Sequence, residues 1–195
     1  MRVLKLSKSN RDEIIKKAIL VFRKGGIIVS PTDTVYGLLG DALNPKAIRA
    51  IFKIKKRRKD KPLGVFVRNI EQAKRFAKIA KSQEKLLRKS WPGQFTFILE
   101  SRGNLPKELG SRKTIGMRSP DSIFLQKLLT LWSGPLVQTS ANISGKPASD
   151  NAEDIAKLFS GKSFCPGMII DGGLSSLRAS TVIDLAHNKK RILRK

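Results

Sequence analysis

Two pairs of polar side chains carry the strongest chemical suggestion in this chain. Lys55 and Arg57 are spaced two residues apart, and so are Ser140 and Asn142. If the backbone is extended at the first pair, both side chains point to one face, and Lys56 and Arg58 to the other. An ammonium point charge beside a forked guanidinium makes a clamp for a triphosphate. Such charges can stabilise a pentavalent phosphorus and a departing pyrophosphate. Ser140 and Asn142 add neutral hydrogen-bonding groups, which suit a nucleotide or a small amphoteric ligand.

The first pair lies in a run, residues 53–62, that holds seven cations and one anion. A charge run is ordinarily a solvated face, and Lys56, Arg58 and Lys59 are read that way. Lys55, Arg57 and Lys61 are separated from it by their neighbourhood. Three small polar loops follow predicted strands: Pro31-Thr32-Asp33-Thr34-Val35-Tyr36-Gly37, Ser140 to Gly145, and Gly172-Gly173 to Ser180. In open α/β sheets, ligands bind beyond the carboxyl ends of strands. Hydroxyls and backbone N–H groups in such loops suit carboxylates and phosphates. One loop of this kind is ordinary turn chemistry; three beside a cationic run remove most of the case for that reading and point to a ligand site.

Familiar alternatives are poorly supported. Gly161-Lys162-Ser163 has the tail of a phosphate-binding loop, but Ala156 stands where that loop needs glycine. Cys165, the only cysteine, excludes an internal disulfide and a cysteine-rich metal site, and is expected to be a small buried residue. His187, the only histidine, reads as a surface residue, so zinc sites and serine–histidine triads lack their ligands.

The elements that must position these loops alternate. Residues 3–6 predict an edge strand, and Ser9 or Asn10 caps a helix whose apolar face is Ile14, Ile15, Ala18, Ile19, Val21 and Phe22. Residues 27–29 form a buried strand. Pro45 opens a second helix, and residues 63–67 form a strand. Asn69 caps a helix running through Ala73, Phe76 and Ile79, and Ser82 begins another that Trp91-Pro92-Gly93 breaks. Strands are expected at residues 95–99, 115–118, 136–138, 168–170, 181–183 and 192–193. Helices are expected at residues 123–131 and through Ile155 and Leu158, the latter capped by Asn151. The class is therefore α/β: one domain over residues 1–195, a twisted mixed sheet flanked by helices, with a concave basic groove.

Composition agrees. A chain of 195 residues with 40% hydrophobic content can bury about 70% of its unfolded surface. No stretch approaches the roughly 20 apolar residues of a membrane span, and no signal peptide is visible, so a cytoplasmic protein is expected. The net charge of +25 favours polyanions, either nucleic acid or a phosphorylated substrate.

Read together, the motifs resemble one family in order. They are Pro31-Thr32-Asp33-Thr34-Val35-Tyr36-Gly37-Leu38, the Lys55-x-Arg57 pair, Lys61-Pro62-Leu63, and Trp91-Pro92-Gly93-Gln94-Phe95-Thr96. Arg118-x-Pro120, Thr139-Ser140-Ala141-Asn142-Ile143-Ser144-Gly145 and Ser180-Thr181-Val182-Ile183-Asp184 complete the series. They are similar to the YrdC-like family of threonylcarbamoyl-AMP synthases, in its short single-domain form, from about Ile14 to Arg194. The resemblance implies a reaction in which L-threonine, bicarbonate and ATP yield L-threonylcarbamoyladenylate and pyrophosphate, for modification of adenosine 37 in tRNAs reading ANN codons.

It also implies roles. Lys55, Arg57, Ser140 and Asn142 would form the catalytic tetrad. Arg57, Lys61, Ser140, Ser149 and Arg194 would contact ATP, with magnesium travelling on the triphosphate. Thr34, Arg118, Asn142 and Ser180 would hold threonine, its carboxylate on Arg118. The chain departs from the family at Arg58, where proline is usual, at Ser122, where histidine is common, and at Phe66, often polar or histidine. Two rival classes remain: a non-catalytic module of this fold binding double-stranded RNA or tRNA, and a carbamoyl-transfer domain. A downstream threonylcarbamoyl transferase complex is an expected partner of the first reading.

Overall fold

The computed structural model describes residues 1–111, 113–176, 178–186 and 190–194. His187 lies outside the described residues. In chain order the elements are β1 (Arg2–Lys5), α1 (Arg11–Arg23), β2 (Ile28–Ser30), β3 (Gly37–Asp41), α2 (Pro45–Lys55), β4 (Gly64–Phe66), α3 (Ile70–Lys74), β5 (Ala77–Lys78) and α4 (Lys81–Ser90). Then come β6 (Phe95–Ser101), β7 (Thr114–Arg118), α5 (Ile123–Trp132), β8 (Leu136–Ser140), α6 (Ala152–Phe159), β9 (Met168–Asp171), β10 (Thr181–Asp184) and β11 (Arg191–Arg194). One mixed sheet runs β1-β9-β2-β3-β8-β4-β7-β6-β10-β11, and β5 pairs with β6. The expected α/β class and mixed sheet are both present. Among the described residues no helix is long and apolar enough to cross a membrane.

Side-chain alternation divides the sheet's two faces. One face meets α2 and α6, where Val29, Leu38, Val65, Phe97, Met117, Val137, Ile169 and Ile183 join Ile48, Ile51, Ile155 and Phe159 in one cluster. The other face meets α1 and α5, where Ile28, Leu39, Phe66, Leu136 and Ile170 pack on Ile15, Phe22, Leu125 and Leu128. Each such side chain removed from water is worth about 1.5–3 kcal/mol. Phe22 and Trp132 lock the two helices edge to face, centroids 5.4 Å apart.

Helix starts follow their caps. The side chains of Asn44, Asn69, Ser122 and Asn151 each accept from a backbone N–H of the first turn. Asn10 is at the predicted start of α1 but works differently. Its amide accepts from the Ser7 N–H and donates to the Lys5 carbonyl, tying the helix back to β1.

Three sequence expectations need correction. The helix expected from Asn69 to Ile79 stops at Lys74, because Phe76 and Ala77 reach the core by turning into the short strand β5. Strand β3, unremarked in the sequence, pairs antiparallel with both β2 and β8. Cys165 is exposed rather than buried; Pro166 fills the interior position beside it.

Candidate active site

The α1–α5 layer covers only part of its face. It stops near β8 and β4, and beyond them the same face of β7, β6, β10 and β11 is open. There the alternating positions carry Thr114, Gly116 and Arg118 on β7, Thr96 and Ile98 on β6, and Ser180 and Val182 at β10. Their neighbours Ile115, Met117, Phe97 and Ile183 point to the other face and the core. A cavity of about 420 Å³ results, closed by Thr34 and Val35, Arg57, residues 62–64, residues 138–140, Ala148, Ala179 and Arg194. Gly64 lets the Gln138 side chain lie close: a Cβ there would stand 2.6 Å from the Gln138 amide nitrogen and push that amide aside.

The three polar loops converge as expected. The Tyr36 hydroxyl donates to the Gly173 carbonyl (2.6 Å) and accepts from Gly172 N–H (3.0 Å), and burial raises its pKa. The Ala141 N–H donates to the Tyr36 carbonyl at 2.8 Å, and the Ser176 hydroxyl to the Thr34 carbonyl at 3.2 Å.

At one end of the cavity Thr34, Arg118 and Ser180 meet, all buried. The Thr32 hydroxyl spends its proton on the Val35 carbonyl (2.8 Å). Thr34 must therefore donate to Thr32 (2.9 Å) while accepting from Arg118 Nη1 (2.9 Å). That leaves one lone pair on the Thr34 oxygen for a ligand. Ser180 and Thr96 share a hydrogen bond of 2.8 Å.

Arg118, expected to hold the threonine carboxylate, already has a carboxylate beside it. Its Nη2 stands 2.5 Å from Asp33 Oδ1, an ion pair off the hydrogen-bond axis, and its Nε donates to the Gly93 carbonyl at 2.9 Å. Burial lowers its pKa, and Asp33 opposes the shift. The charge is neutralised before any substrate arrives. In the sequence, nothing in the spacing of Asp33 from Arg118 links the two.

The cations without a carboxylate within 4 Å, among the described residues lining the cavity, are Arg57 and Arg194. Arg57 is aimed by the carbonyls of Lys61 (3.0 Å) and Pro62 (2.9 Å), and Arg194 by the carbonyl (3.0 Å) and hydroxyl (3.3 Å) of Ser180. Burial lowers the pKa of both, though a guanidinium stays charged.

Lys55 breaks the geometric premise of its pair with Arg57. The chain is not extended there: Lys55 ends α2, and Lys56 adopts a left-handed conformation, φ 50° and ψ 42°. Lys56 N–H bonds Lys53 O and Arg57 N–H bonds Phe52 O, which closes a Schellman turn. The turn sends Lys55 inward and Arg57 to the cavity. Lys55 is 2% exposed, and its ammonium bonds Ser140 O (2.6 Å), Asn142 O (2.9 Å) and Asn142 Oδ1 (2.8 Å). Burial, with a smaller contribution from the Arg57 charge, lowers its pKa to about 7.

Asn142 is equally occupied: Oδ1 also accepts from the Ser140 hydroxyl (2.7 Å), and Nδ2 donates to the Lys146 carbonyl. Of the residues expected at the site, Thr34, Arg57, Arg118, Ser140, Ser180 and Arg194 line the cavity. Lys55 and Asn142 stand behind Ser140. Lys61 offers the site its backbone carbonyl, and Ser149 follows the lining residue Ala148 while bonding Asn151. Lys56, Arg58 and Lys59 are exposed as expected, with Arg58 paired to Asp60. Gln138, Thr96, Thr114, Gly64 and Gly116 were missed. Their only signal is a strand face with small or polar residues at every second position, which also marks plain solvent exposure.

The Sua5/YciO/YrdC family model, described as "Telomere recombination", matches residues 20–195. The chain belongs to this family. A threonylcarbamoyl-AMP synthase of Pyrococcus abyssi is 38% identical over 183 residues, 92% of this chain and 53% of its own length. The human threonylcarbamoyl-AMP synthase is 35% identical over 178 residues, 89% of this chain and 63% of its own. The solved structure of P. abyssi Sua5 complexed with L-threonine superposes with a TM-score of 0.92 at 34% identity, over 100% of this chain and 57% of that one. The chain thus spans little more than half to just under two thirds of the length of these relatives.

Proposed function

We propose that the cavity is the active site of a threonylcarbamoyl-AMP synthase, forming L-threonylcarbamoyladenylate and pyrophosphate from L-threonine, bicarbonate and ATP. The observation that carries this reading is the pairing, in one cavity, of two guanidinium groups without carboxylate partners among the described residues and a hydroxyl-lined buried end. Its volume falls in the roughly 300–1,000 Å³ range of ligand pockets. Arg57 and Arg194 suit the phosphates, Ile98 and Val182 suit a flat base, and Thr34 with Ser180 suits the amino acid.

The chemistry follows from charge. A carbamate formed from bicarbonate and the threonine nitrogen is an anion, and it must approach an anionic α-phosphate. Fixed cations cancel that repulsion, and orientation makes the attack nearly unimolecular. The carbamate oxygen forms a bond to the α-phosphorus as the bond to pyrophosphate breaks. Arg57 and Arg194 hold the charge that moves onto pyrophosphate. The Thr34 oxygen, with one lone pair spare, accepts from the amino acid's N–H or O–H. Arg118, already paired with Asp33, orients Thr34 and adds a dipole rather than a full positive charge.

Magnesium would be bound by the triphosphate. Among the described residues no group of three His, Cys, Asp or Glu side chains converges. The product is a mixed anhydride, so a transferase must consume it. The net charge of +25 favours a tRNA acceptor near this protein. It also supports a second reading, a binding module for double-stranded RNA or tRNA without turnover.

The deciding measurement is pyrophosphate release from ATP and bicarbonate, with and without L-threonine. Release that requires threonine and bicarbonate together is expected. Release indifferent to threonine, or salt-sensitive RNA binding with no release, would overturn the synthase reading.

A further inference from the structure

An ammonium has three N–H groups and no acceptor. At Lys55 all three have partners from one loop: two carbonyls and one amide oxygen, at 2.6–2.9 Å. No donor is left over, and the group is cut off from water and from the cavity. The attachment is double, because the Lys55 backbone carbonyl also accepts from the Ser144 N–H at 2.9 Å. One residue at the end of α2 therefore grips the loop after β8 at three places.

We propose that Lys55 is a positioning residue that holds the loop from Ser140 to Lys146 in its binding shape, and not a contact of the substrate phosphates. It acts through Asn142. Lys55 fixes Asn142 Oδ1, which takes the proton of the Ser140 hydroxyl, so that Ser140 shows the cavity lone pairs alone. Asn142 Nδ2, donating to the Lys146 carbonyl, carries the constraint to the far end of the loop. Without the ammonium, two carbonyls and an amide oxygen are left buried with fewer donors, and the loop relaxes toward water to recover them. The consequence for nucleotides rests on the synthase reading; the grip on the loop does not.

The test uses the full chain with Lys55→Met, which keeps the aliphatic bulk and removes the donors. The first readout is amide hydrogen exchange without ligand. The amides of Asn142, Ser144 and Lys146 should exchange at least about tenfold faster in the variant, while the core pairing of β2 with β3 keeps its protection. The second is calorimetric binding of ATP, ADP and AMP. A positioning role weakens all three by the same factor, whereas a lost phosphate contact gives a loss that grows with the number of phosphates. Unchanged exchange in the loop, or a loss graded by phosphate number, overturns the proposal. If the wild-type protein binds none of the three nucleotides, the synthase reading fails and the exchange arm alone decides Lys55. If Lys55→Met does not fold, Asn142→Ala carries the exchange arm: faster loop exchange supports the proposal, and unchanged exchange overturns it.

Discussion

One face of one sheet is built in two ways. Over β2, β3 and β8 it carries Ile28, Leu39 and Leu136 and lies under α1 and α5. Over β7, β6 and β10 it carries Thr114, Gly116, Thr96 and Ser180 and lies open. The boundary runs within single strands: Leu136 is roofed by helices, while Gln138 and Ser140, two and four residues on, face the cavity. The difference lies in which layer the alternate residues can meet. Large aliphatic side chains recruit helices; small and hydroxylic ones leave a concavity whose contents must be supplied from solution. The covered half is held by apolar contact and the open half by hydrogen bonds between loops, so damage to each should be read by a different instrument.

The largest effect is expected in the open half. Replacing Arg57 or Arg194 by Met removes one of the two cavity cations that have no carboxylate partner among the described residues. Pyrophosphate release should fall about 100- to 1,000-fold, the usual cost of losing one preorganised charge stabiliser. The thermal midpoint should move little, since both guanidiniums bond loop carbonyls and the Ser180 hydroxyl and neither packs in the apolar core. A large loss of stability in either variant would erase the division between the halves.

The covered half should answer in the opposite sense. Leu128→Ala removes a buried side chain between α5 and the sheet and should cost about 2–5 kcal/mol in denaturant unfolding. Substrate KM in the variant that remains folded should be unchanged. If KM for ATP rises along with the lost stability, the helix layer supports the cavity directly and the two halves are one unit.

Much of the covered half was legible in the sequence because apolar periodicity is its cause. Ile14, Ile15, Ala18 and Phe22 state the buried face of α1, and Asn151 states the start of α6. The loops of the open half were legible as chemistry but not as geometry. Thr34, Arg57, Ser140, Ser180 and Arg194 do meet from five separate stretches of the chain. Lys55 and Arg118 carry the right residue types in other circumstances, one buried among carbonyls and one neutralised by Asp33. Spacing cannot show this, because a Schellman turn with lysine at its left-handed position has no glycine to announce it. The strand β3 was silent for a related reason: Gly37 and Gly40 interrupt the pattern that would mark it.

Lys55 belongs to neither half, and its titration gives a finer test. Its pKa lies at about 7 in the fold against 10.5 for a free lysine. Between those values the unfolded chain holds a proton at this site that the folded chain has released. Stability should therefore rise with pH across that window, by at most about 1.4 kcal/mol per pH unit. The penalty is fully present below about pH 7. The charged neighbour that contributes to the shift is Arg57, which stays ionised throughout. The difference in unfolding free energy between wild type and Lys55→Met should thus grow from pH 6.5 to pH 9. Parallel curves would mean that burial does not burden the ammonium, and that the three oxygens fully replace its water.

The smallest effect belongs to the residue between the two. Lys56 holds φ at 50°, in the left-handed region where a Cβ costs about 1–2 kcal/mol and where glycine is the usual occupant. Its side chain is exposed, and no ion pair holds it among the described residues. Lys56→Gly relieves the strain but gives the unfolded chain more freedom, a loss of about 0.5–1 kcal/mol. The net should be a stabilisation below about 1 kcal/mol, visible as a small upward shift of the unfolding midpoint. The Schellman bonds from residues 56 and 57 would persist, so Arg57 would stay aimed and the KM for ATP would hold. A raised KM with unchanged stability would mean that the Lys56 ammonium, rather than the turn it occupies, helps the cavity attract its anions.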